Sequence, residues 1–271
     1  MKLFKFCVIC VLLFAIGLAQ ADWQDITLIS NSTIQDGDQY IQVFANNDAD
    51  VSIIGGQIGS LFCNNTSKAT ISGGTFRASY FSYHPENNDG DNLFIAPSQS
   101  VVIRHCAIVD VIGGDLESVS CSGYGTVNIF DGEFGLFFSD HAKVNVFGGV
   151  ISLKMGKIYS YPLVNSSIIN LHGGAIAGSV QLIGDDKLHV YGYGFNYDPI
   201  GGNYNNPGII PGGTLSGWWA DGSSFQINFN DRFARSYDKV VLHEIPEPSG
   251  LVLLGFLSFS LCTSRYRLNI S

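Results

Sequence analysis

A segment of the form apolar-x-apolar-x-Gly-Gly-x-apolar recurs along the middle of this chain. A unit so short cannot bury its own apolar side and must stack on its neighbours. The clear copies are VSIIGGQI (51–58), ATISGGTF (69–76), VNIFDGEF (127–134), VNVFGGVI (144–151) and INLHGGAI (169–176). Two divergent copies, VVIRHCAI (101–108) and LHVYGYGF (188–195), fit the same pattern. Their second glycine positions fall at 56, 74, 106, 132, 149, 174 and 193, and the spacings of 18, 17 and 19 among them mark one short period. Position one is Val51, Ala69, Val101, Val127, Val144, Ile169 and Leu188, and position three is Ile53, Ile71, Ile103, Ile129, Val146, Leu171 and Val190. Position two is mostly polar: Ser52, Thr70, Asn128, Asn145, Asn170 and His189. Such alternation with a period of two makes half-buried strands, not helices. The glycine pairs allow corners, because a positive φ costs glycine little.

These features predict an all-β fold, a parallel β-solenoid (β-helix) of about seven short coils. With coils about 4.8 Å apart, the rod would be about 34 Å long. The alternative is an antiparallel sandwich or barrel, since hairpins also use Gly-rich turns. Longer spacings place insertions at 80–99, 109–123 and 156–165, where solenoids commonly carry binding function. After a turn-rich stretch at 197–207, two strand-like runs flank Ala220-Asp221-Gly222, a hairpin signal read as a C-terminal β cap.

Both ends carry export signals. Lys2 and Lys5 precede an uncharged run that closes on Ala19-Gln20-Ala21, the pattern of a secretory signal peptide with its cleavage site. At the other end Pro246-Glu247-Pro248 opens an uncharged run of 17 residues, followed by Arg265 and Arg267. A helix over about 249–264 is long enough for a thin bilayer core, and the basic residues place its end on the cytoplasmic side of the inner membrane. The expected organisation is signal peptide 1–21, N-terminal cap 22–48, solenoid repeats 49–196, C-terminal cap 197–243 and tail 244–271.

The order Pro246-Glu247-Pro248-Ser249, an apolar helix, then Arg265-Tyr266-Arg267 resembles the PEP-CTERM sorting signal of Gram-negative bacteria. The resemblance covers about 26 residues. It implies processing by an exosortase, a membrane cysteine protease-transpeptidase, and a connection to exopolysaccharide and biofilm matrix. The same tail is also found on some ice-binding proteins.

The mature region offers little catalytic chemistry. Between 22 and 243 it has 10 basic and 21 acidic residues, a formal charge of −11, which repels nucleic-acid phosphate. Glu86, Asn88, Asp89 and Asp91 gather oxygen donors in the first insertion, a weak candidate for Ca2+, whose spacing fits no EF-hand. Asp185-Asp186 is the adjacent carboxylate pair of the repeat region, to be weighed against a simple turn; a polysaccharide lyase or hydrolase would need such a pair for acid and base work. His243-Glu244-Ile245-Pro246-Glu247 lacks the second histidine of a zinc protease helix. Cys106 and Cys121 are the disulfide candidate, with Cys63 left over and Cys106 otherwise a core residue in a glycine column. Trp218 and Trp219 are weighed as a sugar-stacking platform against cap packing. Ice binding would want threonine columns, and among the copies only Thr70 stands at position two. The leading expectation is therefore a non-catalytic, structural or adhesive exported protein.

Overall fold

The structure, a computed structural model, describes residues 24–77, 100–138, 140–153, 166–182, 184–201, 211–231 and 235–247. It is all-β, with two long parallel sheets that the chain visits in alternation, consistent with a β-solenoid. The first sheet holds β1 (Gln24–Leu28), β3 (Gln39–Ala45), β5 (Gln57–Cys63), β7 (Thr75–Phe76), β8 (Val101–Ile103), β10 (Ser118–Cys121), β12 (Glu133–Phe138), β14 (Val150–Leu153) and β16 (Ala175–Ala177). The second begins with β2 (Ser32–Ile34), β4 (Asp50–Ile53), β6 (Lys68–Ile71), β9 (Ile108–Val111), β11 (Thr126–Ile129), β13 (Lys143–Val146), β15 (Ile168–Leu171) and β18 (Lys187–Asp198). These pairings are parallel and in register, as in Val127 opposite Val144 and Val144 opposite Ile169, which excludes the antiparallel sandwich.

Strand alternation sets the core. Positions one and three of the second sheet point inward, and Val127, Ile129, Val144, Val146, Ile169 and Leu171 are all fully buried. They meet Leu61, Val119 and Leu136 from the first sheet, together with the position-eight residues Ile58, Phe76, Phe134 and Ile151. Each such side chain stabilises the fold by about 1.5–3 kcal/mol relative to exposure. Each coil has two corners. One is the glycine pair, whose second member takes a positive φ, as at Gly149 (82°). The other holds a left-handed residue, among the described residues at Asn47, Asn65, His105, Gly123, Asp140 and Gly184, with φ of 56–63°.

Three expectations are corrected. VVIRHCAI is not a copy of the glycine-pair unit, because Val101–Ile103 pairs with β5 and β10 in the first sheet. The true copy is VDVIGGDL (109–116), since Val109 lies opposite Ala69 and Val127. The stretch 109–123 is accordingly no insertion but a regular coil containing β9 and β10. Cys106 leaves the glycine column with it and sits exposed at the left-handed corner after His105. The segment containing 80–99 does interrupt a strand: β7 and β8 both pair with β5, at its two ends.

At the C-terminal end β18 outgrows the ladder, and its second half pairs antiparallel with β19 (Pro211–Trp218), which pairs with β20 (Ser224–Asn230) around the Ala220-Asp221-Gly222 turn. β20 closes on β17 (Ser179–Val180). After a single 3₁₀ turn at Tyr237–Lys239, β21 (Val240–Glu244) adds in parallel to β18. The boundaries drawn from sequence do not follow the strands: β1 to β3, which belong to the two parallel ladders, lie within 22–48, β18 runs past 196, and β21 runs past 243.

Candidate functional site

The outward face of the second sheet carries the most ordered chemistry. Because positions one and three face the core, positions two and four face away from it, and identical register stacks like on like. At position two, the amide of Asn128 donates to Asp110 (2.6 Å), Asn145 to Asn128 (2.6 Å) and Asn170 to Asn145 (2.8 Å). At position four, Phe130, Phe147, His172, Tyr191 and His243 form one stack, with successive ring centroids 5.0, 5.0, 4.1 and 4.2 Å apart. The two columns meet at the C-terminal end, where His189 Nδ1 lies 2.8 Å from His243 Nε2. Partial burial, then the neighbouring His243, hold the His172 and His189 imidazoles below the usual histidine range; Lys187 adds to the effect on His189.

The stack limits what this face can hold. Rings piled at strand spacing spend their faces on each other and leave edges to solvent, whereas a sugar stacks on a free ring face. Phe130 and Phe147 are nonetheless 46% and 45% exposed, and Ile112 continues the stripe, which Ser72 then separates from Ile54. Sequence reasoning missed this column because the displaced third copy hid Ile112, and because β21, which supplies His243, has no glycine pair.

The predicted candidates scatter. Asp186 is fully buried at the corner before β18, where its Oδ1 accepts the Ser167 backbone N–H at 2.9 Å; Asp185 beside it is exposed. A carboxylate held in that way caps a corner. Trp219 is buried, donates Nε1–H to Gly174 O (2.9 Å) and stacks on Phe225 at 4.1 Å, while Trp218 is 44% exposed and stacks on Tyr193. The two tryptophans thus face opposite ways and form no shared platform. The Cys106–Cys121 bridge is not formed: Cys121 points into the core two rungs from Cys63, Cys106 is at the surface, and all three thiols are free. Pro246 and Glu247 are exposed just beyond β21. Ala19, Ala21, Glu86, Asn88, Asp89, Asp91, Pro248, Arg265, Arg267 and the helix at 249–264 lie outside the described residues.

Elsewhere an open groove of about 390 Å³ is lined by Asp115, Glu133, Phe134, Gly135, Val150 and Ala177. Arg77 Nη2 donates to Asp115 Oδ2 at 2.5 Å and holds that carboxyl below its usual range, so one of the two acids is already committed to an ion pair. Among the described residues no group of three or more His, Cys, Asp or Glu side chains could hold a metal ion, and no helix is long and apolar enough to cross a membrane. No family model, no curated protein and no solved structure matches the chain.

Proposed function

We propose that this is an exported, non-catalytic β-solenoid of about eight coils, delivered by an exosortase-type system to the cell surface or extracellular matrix. There it serves a structural or adhesive role beside exopolysaccharide. The observation that carries the reading is where the sheet stops. The Ile245 N–H makes a hydrogen bond to Gly192 O (2.8 Å), and the exposed Pro246 and Glu247 follow at once. A protease that reads Pro-Glu-Pro needs that element outside a sheet ladder, and proline, which lacks an N–H, suits such an exit.

A lyase or hydrolase reading draws no support from Asp185 and Asp186, since the second is buried and bonded to a corner amide. An acidic surface with ordered edges suits a structural element that associates with glycans through divalent ions. The reading predicts that, in the native host, Glu247→Ala keeps the chain in the inner-membrane fraction while the wild type reaches the surface or medium. Equal release of both proteins counts against it.

A further inference from the structure

We propose that His189 and His243 form a chelating site for one divalent transition-metal ion, which clamps β21 to the sheet. The parallel register puts Val241 opposite His189 and His243 opposite Tyr191, so the two imidazoles approach diagonally across neighbouring strands. Their nitrogens stand 2.8 Å apart, with ring centroids at 5.1 Å and planes within 18°. Two imidazole nitrogens on one tetrahedral or square-planar ion, each at about 2.0–2.1 Å, are separated by about 2.9–3.4 Å. The two nitrogens face one another across a single ring N–H···N hydrogen bond, and a metal ion takes the place of the shared proton once both rings turn so that their lone pairs converge on it and the donor ring carries its proton on its other nitrogen.

The donor set selects the ion. Two neutral imidazoles without a carboxylate suit zinc, nickel or copper, and not the hard cations calcium or magnesium. Both rings must be unprotonated to bind. Lys187 on the same face opposes the ion's charge, which sets an upper limit on affinity. His172 is no third ligand, since the Tyr191 ring lies between it and His243 at 4.1 and 4.2 Å. Water would complete the coordination.

The pair joins residues 54 apart in sequence, and β21 hydrogen-bonds in a ladder to β18 alone, so an ion here adds a cross-link where the sheet is otherwise held by one neighbour. The site stands or falls independently of whether the tail is processed.

The test is calorimetric titration of the purified full chain in detergent, stripped with EDTA, at about pH 7.5. Zn2+ is expected to bind at one equivalent and to raise the Tm, with Ca2+ and Mg2+ giving neither. His189→Gln and His243→Gln should each weaken zinc binding by about tenfold or more, and His172→Gln should leave it unchanged. Should a glutamine variant fail to fold, diethyl pyrocarbonate footprinting of the wild type reads the same claim: zinc protects His189 and His243 but not His141, which is exposed at the corner before β13. Absence of saturable zinc binding, binding indifferent to both substitutions, equal loss in His172→Gln, or footprints unchanged by zinc would each overturn the proposal.

Discussion

Gly148 and Gly149 are adjacent, yet glycine is required at each for a different reason. A Cβ on Gly148 would overlap the Phe130 carbonyl of the preceding coil, so that position answers to close backbone approach. Gly149 has φ of 82°, and its Cβ would also lie 2.6 Å from Gly132 O. Gly178 has nearly the same φ, 83°, but open space around it. Gly178→Ala should therefore cost only the backbone strain of about 1–2 kcal/mol, and Gly149→Ala about 3 kcal/mol or more, measured by urea unfolding. Equal losses would contradict the stacking of coil corners. The cysteines separate in the same way. Burial pushes the Cys63 and Cys121 thiols up to about 12, whereas Cys106 is exposed at a corner. Since the thiolate is the nucleophile, iodoacetamide at about pH 8 should label Cys106 well before the other two in the native protein, as mapped by peptide mass spectrometry. Comparable labelling of all three would show that the first sheet's inner face is open.

Elements were legible where one residue type marks a corner. The glycine pair recurs because a side chain at either position meets the backbone of the neighbouring coil in most copies, and the pattern around it, with Asp131 and Tyr193 as departures, led directly to β4, β6, β11, β13, β15 and β18. The strands of the first sheet follow the other corner, where Asn47, Asn65, His105, Gly123 and Asp140 share a left-handed φ but not an identity. That ladder therefore leaves no uniform trace, and β8, apolar throughout, matches the second-sheet pattern in sequence although it pairs in the first sheet. β21 was invisible for a further reason: it returns to the ladder after the hairpin, with neither glycine pair nor period to announce it. The worth of the amide column can be measured. Asn145 donates to Asn128 and accepts from Asn170, so Asn145→Ala breaks two bonds in a half-buried setting. A loss of about 1–2 kcal/mol in unfolding free energy is expected. A loss indistinguishable from zero would mean that water replaces the ladder at no cost.

At the scale of the whole molecule, two parallel sheets enclose a narrow core, a hairpin folds over one end, and the final strand delivers the chain to Pro246 at the sheet edge. The arrangement places Pro246 and Glu247, the start of the proposed processing element, directly after folded structure. The tail reading rests on sequence alone, on Pro246-Glu247-Pro248, an apolar run, and Arg265 and Arg267. The outer face of the second sheet was less legible, because its columns are assembled from many coils and no single coil shows them. The most direct measurement is the intact mass of the protein recovered from the native cell surface or medium. The account predicts a chain that begins at Asp22 and ends within 246–248. A chain that keeps 249–271 and stays in the inner membrane would contradict it.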